Sequence, residues 1–119
     1  HIHRESEIRE DGTKVYFLHA PLFFGSVTDF NLGFSPAEDP DSVVVDMKES
    51  RVWDHSGLEA IHKLGERYHK AGKTVKLQHI SENCRTLLKK AGSMVDIAVL
   101  PNDPSYHVAN LKGGILPTE

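Results

Sequence analysis

Between Val43 and Ile61 the chain reads VVVDMKESRVWDHSGLEAI, and no other stretch constrains the fold as sharply. Three β-branched residues run into Asp46, a short polar passage leads to Trp53, and Asp54-His55-Ser56-Gly57 opens an amphipathic run at Leu58. The order is strand, loop, helix start. Ser56 is expected as the N-cap, its hydroxyl accepting a backbone N–H of the first turn while Gly57 leaves that turn unobstructed. Free N–H groups and the positive end of the helix dipole meet at such a point, which makes Ser56 and Gly57 candidates for phosphorylation or anion binding.

Around this stretch the pattern alternates. Asp11-Gly12 separates two strand-like runs, Ile2 to Ile8 and Val15 to Leu18, and predicts an antiparallel hairpin. A short helix is expected after Ser26, with Val27, Phe30 and Phe34 on one side and Gly33, Pro36 and Pro40 ending it. Pro36 to Ser42 reads as an acidic loop. Leu58, Ile61, Leu64, Gly65 and Tyr68 recur at helical spacing up to a stop at Gly72. Val75, Leu77 and His79 alternate as a strand; Ser81 caps a helix lined by Cys84, Leu87, Leu88 and Ala91 and stopped by Gly92. Val95 to Leu100 reads as the last buried strand, Asp103-Pro104 as a helix start, and 110–119 as a flexible tail. Strands alternating with helices imply crossovers and a largely parallel sheet, so the class is α/β with an antiparallel hairpin in front. Ligands in such folds gather at the loops after strand ends, and the Ser56 loop is one of these.

Composition removes several functions. With 119 residues the chain fits one domain, residues 1–3 reading as a remnant or linker. A net charge of −3, with no clustered basic face, argues against nucleic acid as a partner. No apolar run approaches the ~20 residues that span a bilayer, so direct membrane insertion is not expected. The single cysteine, Cys84, forms no internal disulfide and sits on an apolar helix side, as a core thiol does. No Walker loop or catalytic triad order is present; neither an enzyme nor a cofactor is expected.

Other residues carry two readings each. His55, Glu59, His62, Glu66 and His69 form one stripe of the helix; His55, Glu59 and His62 are weak metal candidates, but zinc sites gather ligands from several segments, and a solvated face is the expectation. Trp53 is either an exposed anchor for a partner or a hydrophobic staple against the helix. Asp54 compensates the helix dipole, and Phe23 and Phe24 are expected mostly in the core.

The succession of strand, Asp54-His55-Ser56-Gly57-Leu58, helix, strand, capped helix and strand resembles the STAS domain, shared by anti-sigma factor antagonists and the cytoplasmic tails of SulP-type anion transporters. Asp54, Ser56, Gly57 and Leu58 match the family's Asp-x-Ser-Gly-Leu signature. Pro21-Leu22-Phe23-Phe24 resembles the transporter branch's turn, with Ala20 in place of its glycine, and Asp103 to Ala109 resembles the closing helix of bacterial transporter tails. The resemblance implies a small mixed sheet flanked by helices. It implies a non-catalytic regulatory domain on the cytoplasmic face of the inner membrane, with the transmembrane domain of the same transporter chain, a cytosolic protein or a second copy as partner. The implied contact surface is Glu49, Ser50, Arg51, Trp53, Asp54, His55, Ser56 and Glu59. The alternative it implies is a free-standing anti-sigma factor antagonist switched by phosphorylation of Ser56.

Overall fold

The Asp11-Gly12 hairpin starts the sheet. Gly12 takes φ +90°, which a side chain would resist, while the Asp11 carboxylate accepts the Thr13 N–H at 2.9 Å. The computed structural model describes residues 4–91 and 98–100. Within them, β1 (Arg4–Ile8), β2 (Lys14–Leu18), β3 (Ser42–Asp46), β4 (Thr74–Gln78) and β5 (Ala98–Val99) form one sheet in sequence order. β1 runs antiparallel to β2, and every later pairing is parallel. A 3-10 turn (Phe24–Ser26) leads into α1 (Val27–Leu32); α2 (His55–Lys70) and α3 (Glu82–Ala91) follow β3 and β4. The expected α/β class, a mixed sheet with a parallel core and an N-terminal antiparallel hairpin flanked by helices, is what the chain adopts.

Because each parallel strand is laid beside the previous one, right-handed crossovers put the connecting helices on one face. Register then decides the core. Tyr16, Val45 and Leu77 stand side by side across three strands, as do Val43 and Val75. They pack with Phe30 of α1, Leu58, Ile61, Leu64 and Tyr68 of α2, and Cys84 and Leu88 of α3. Each fully buried large apolar side chain stabilises by about 1.5–3 kcal/mol. Burial pushes the Cys84 thiol up to about 12, the state of an inert core group. α2 stops in a Schellman arrangement, Gly72 at φ +76° with its N–H on the His69 carbonyl and the Lys73 N–H on Tyr68. Ser81 caps α3 as expected, accepting the Cys84 N–H at 3.0 Å.

Three local readings are corrected. β4 ends at Gln78, and His79 turns away with φ +58° instead of continuing the alternation. α1 ends before Phe34, which stays buried by stacking edge-on against Phe30 and Tyr16, at 5.1 and 4.7 Å between centroids. Phe24 is 79% exposed instead of joining the core. The expectations for residues 1–3, the Gly92 stop, Val95 to Ile97 of the last strand, the helix at Asp103 and the tail at 110–119 lie outside the described residues.

At the amino ends of the strands a buried carboxylate ties the acidic loop down. Asp39 accepts hydrogen bonds from the Tyr16 hydroxyl at 2.6 Å, the Tyr68 hydroxyl and the Lys14 ammonium at 2.9 Å. Lys73 closes the same loop on the carbonyls of Pro36, Ala37 and Asp39. Burial alone would raise the Asp39 carboxyl, but the two tyrosines and Lys14 outweigh it and hold it below its ordinary 3.8. Burial and the neighbouring carboxylate push the Tyr68 hydroxyl up, so it remains a donor. A carboxyl depressed by folding stabilises above its unfolded value and loses that contribution as pH falls through the folded one. Asp39→Asn is therefore expected to cost about 2–3 kcal/mol in urea unfolding at neutral pH, a deficit that shrinks below about pH 4 as the wild-type carboxyl protonates.

Candidate functional site

The loops after β2 and β3 lie side by side at the carboxyl ends of the strands, and Leu22 joins them. Its N–H donates to the Arg51 carbonyl at 2.7 Å and its carbonyl accepts the Trp53 N–H at 3.0 Å, a one-residue parallel bridge to Val52. Leu22 and Val52 are buried. The Ser50 hydroxyl donates to the Ala20 carbonyl, adding a second link. Within the first loop, Ser26 Oγ accepts the Phe23 N–H at 3.1 Å and lies against the Pro21 carbonyl at 3.1 Å, so the Pro21-to-Ser26 turn is fixed internally.

The α2 start departs from the sequence expectation. Its N-cap is Asp54, not Ser56: Asp54 Oδ1 accepts the Gly57 N–H at 3.0 Å, and Oδ2 accepts the Phe24 N–H at 3.1 Å from the other loop. Ser56 sits in the first turn, half-buried. Both residue types cap helices well, and the bond to Phe24, made 30 positions away, accompanies the choice of Asp54. Gly57 is buried with its N–H already given to Asp54, so that amide is not open to an external anion. A Cβ at Gly57 would stand 2.6 Å from the Leu22 carbonyl oxygen, so glycine here is what lets the two loops approach.

What the two loops present outward is aromatic. Trp53 is 62% exposed and packs, tilted, on Phe23 with centroids 5.4 Å apart and planes 31° from parallel, and Phe24 is exposed as well. Trp53 is thus exposed and packed on Phe23, not buried as a staple against the helix. Pro21, Lys48, Glu49, Ser50 and Arg51 line a groove of about 270 Å³ beside it. Of the contact surface expected from sequence, Glu49, Arg51, Trp53, His55 and Glu59 are exposed, while Ser50, Asp54 and Ser56 are half-buried and bear structural load or lie beside it. The histidine stripe resolves into two i,i+4 pairs, His55 with Glu59 and His62 with Glu66, each at 3.3 Å. No group of three such side chains among the described residues is placed to hold a metal.

Around the end of the sheet, sequence reasoning missed a second polar assembly. Asp46, 6% exposed, accepts the Lys48 N–H, the Gln78 side-chain amide and His79 Nδ1, each at 2.9 Å. The only signal in the sequence was an acid closing an otherwise apolar strand.

With this geometry in hand, the comparisons are specific. Residues 6–102 match the STAS domain family. The chain belongs to that family. It is 31% identical over 85 residues to "Putative sulfate transporter YbaR" of Bacillus subtilis (strain 168), a match covering 71% of this chain and only 18% of the relative. The STAS domain of an antisigma-factor antagonist from Rhodobacter sphaeroides is 30% identical, covers 64% of this chain and 84% of that one, and superposes with a TM-score of 0.58. A sulfate transporter family protein from Wolinella succinogenes, 20% identical with 89% of each chain covered, shares the fold at a TM-score of 0.63. This STAS domain is thus similar to transporter domains and to antagonists alike. No helix among the described residues is long and apolar enough to cross a membrane.

Gly57→Ala is expected to lose about 1–3 kcal/mol in thermal unfolding, because the new methyl meets backbone and not a movable side chain. Asp54→Ala should cost about 1 kcal/mol for the lost cap, and Ser56→Ala markedly less. Equal losses for Asp54→Ala and Ser56→Ala would contradict the assignment of the cap.

Proposed function

We propose that this STAS domain is the non-catalytic, cytoplasmic regulatory part of a SulP-type sulfate or other anion transporter, docking on the transmembrane domain of the same chain through the surface around Trp53. The observation that carries the reading is a pair of large apolar side chains, Phe24 and Trp53, held outward on loops that are bonded to each other. Leaving such groups in water forgoes about 1.5–3 kcal/mol each, and exposed aromatics on a rigid base are the anchors that interfaces use. The likeness to YbaR supports it further, since a match covering 18% of that relative leaves most of its length to other parts.

The rival reading is a free-standing anti-sigma factor antagonist, favoured by the 30% identity to the Rhodobacter domain. Phosphorylation of Ser56 would then add about −1.5 to −2 charges in the first turn of α2, next to Asp54. Neither reading needs a cofactor or a catalytic group.

The test uses the parent reading frame and two substitutions. Apolar spans encoded upstream are expected, and the double variant Phe24→Ser, Trp53→Ala should keep stability within about 0.5 kcal/mol while losing association with the membrane part. Unchanged association would reject the aromatic surface; a kinase that phosphorylates Ser56 and releases a soluble partner would favour the antagonist.

A further inference from the structure

A groove of about 410 Å³ lies between α1 and the carboxyl-terminal half of α2, apart from the α2 start that follows Trp53. Asn31 and Leu32 form its α1 wall, and Lys63, Glu66, Arg67 and Lys70 form its α2 wall. We propose that this groove docks an acidic amphipathic helix of a partner protein, with carboxylates on Lys63 and Lys70 and an apolar side chain on Leu32.

Charge selects the sign of the partner. Three cations line the groove against one acid, so a chain of net charge −3 carries a local positive excess here. That acid is already engaged, Glu66 lying 3.3 Å from His62 Nε2. The Arg67 guanidinium donates to the carbonyls of Asn31 and Phe34 at 3.0 and 3.1 Å. Both acceptors are neutral, so the bonds pin α1 to α2 and fix the groove while leaving the positive charge uncancelled. Lys63 and Lys70 are exposed, and neither has a carboxylate within salt-bridge distance among the described residues. Spacing selects the partner's form. Lys63, Arg67 and Lys70 follow one another at steps of four and three, so they run along one side of α2 for two turns, about 10 Å. Leu32, the last residue of α1, is 77% exposed beside them. An apolar centre flanked by long cationic side chains, whose stems are themselves apolar, suits a helix laid in the groove with leucine-like residues inward and acids at its edges. A nucleic acid fits less well, because its phosphates call for a wider basic face and make no use of Leu32.

The groove uses neither Trp53 nor Phe24, so the inference stands whatever docks on those two side chains. The experiment is amide NMR titration of the 119-residue chain with a lactam-bridged helical peptide of about four turns, carrying leucines on one face and glutamates beside them. Three controls run at the same ionic strength: the peptide with lysine for every glutamate, an acidic helix of equal composition with its leucines scattered, and a short single-stranded DNA. Saturable shifts at Leu32, Lys63 and Lys70 are expected with the first peptide alone. The double variant Lys63→Glu, Lys70→Glu should weaken its binding about tenfold and gain binding to the lysine peptide, and Leu32→Ser should weaken it several-fold, all at an unchanged melting temperature. Trp53→Ala should bind as the wild type does, which separates this groove from the aromatic surface. Shifts that do not saturate, that survive the double variant, or that disappear with Trp53→Ala would overturn the proposal. Equal binding of the lysine peptide, the scattered-leucine helix or the DNA would overturn it too, since neither acidity nor the apolar face would then be selected.

Discussion

Leu22 makes the two hydrogen bonds on which the joining of the two loops depends. A parallel sheet leaves the loops after neighbouring strands side by side but supplies no bonds between them, because the ladder ends with the strands. Here the Leu22 amide and carbonyl continue the ladder for one residue, to Arg51 and Trp53, beyond a gap where neither β2 nor β3 is regular. Asp54 repeats the device with a side chain, one oxygen on its own helix and the other on the Phe24 amide. Gly57 lets both happen by offering no Cβ where Leu22 passes. Two loops become one surface, and a tryptophan and a phenylalanine point away from it.

The two ends of the sheet do different work. At the amino ends, Asp39 gathers two tyrosine hydroxyls and a lysine in the interior, and Lys73 gathers three carbonyls of the same loop. Those contacts stabilise and present nothing outward. At the carboxyl ends, Asp46 gathers the Lys48 N–H, Gln78 and His79 beside an open cleft, and Trp53 and Phe24 are exposed on the loops that follow β3 and β2. The carboxyl ends are where α/β sheets commonly place their ligands, and it is there that the proposed docking surface lies.

Much of the fold was legible because its signals are local. Asp11-Gly12 needs only two residues to demand a turn, the spacing from Leu58 to Tyr68 declares a helix, and Gly72 and Ser81 mark ends by their own backbone or hydroxyl chemistry. The site was less legible because its decisions are made between distant residues. Asp54 and Ser56 are equally good caps by type, and a bond from Phe24 distinguishes them only once the loops have met. Leu22, Phe23 and Phe24 look alike as a run, yet the first is fully buried and the third faces water. Asp39 lay in what read only as an acidic loop, since its partners stand 23 to 29 positions away. His79 fitted an alternating strand pattern that its backbone breaks.

Trp53 is the only tryptophan in the chain, and this permits a direct measurement. With 5-fluorotryptophan incorporated, the domain gives one ¹⁹F resonance. The account predicts a solvent-exposed signal in the domain alone, with a clear solvent isotope shift, that moves and loses that shift when the membrane part of the proposed parent transporter is added. A signal already shielded in the isolated domain, or one that stays exposed when the two parts associate, would contradict the claim that these loops exist to present Trp53 to a partner.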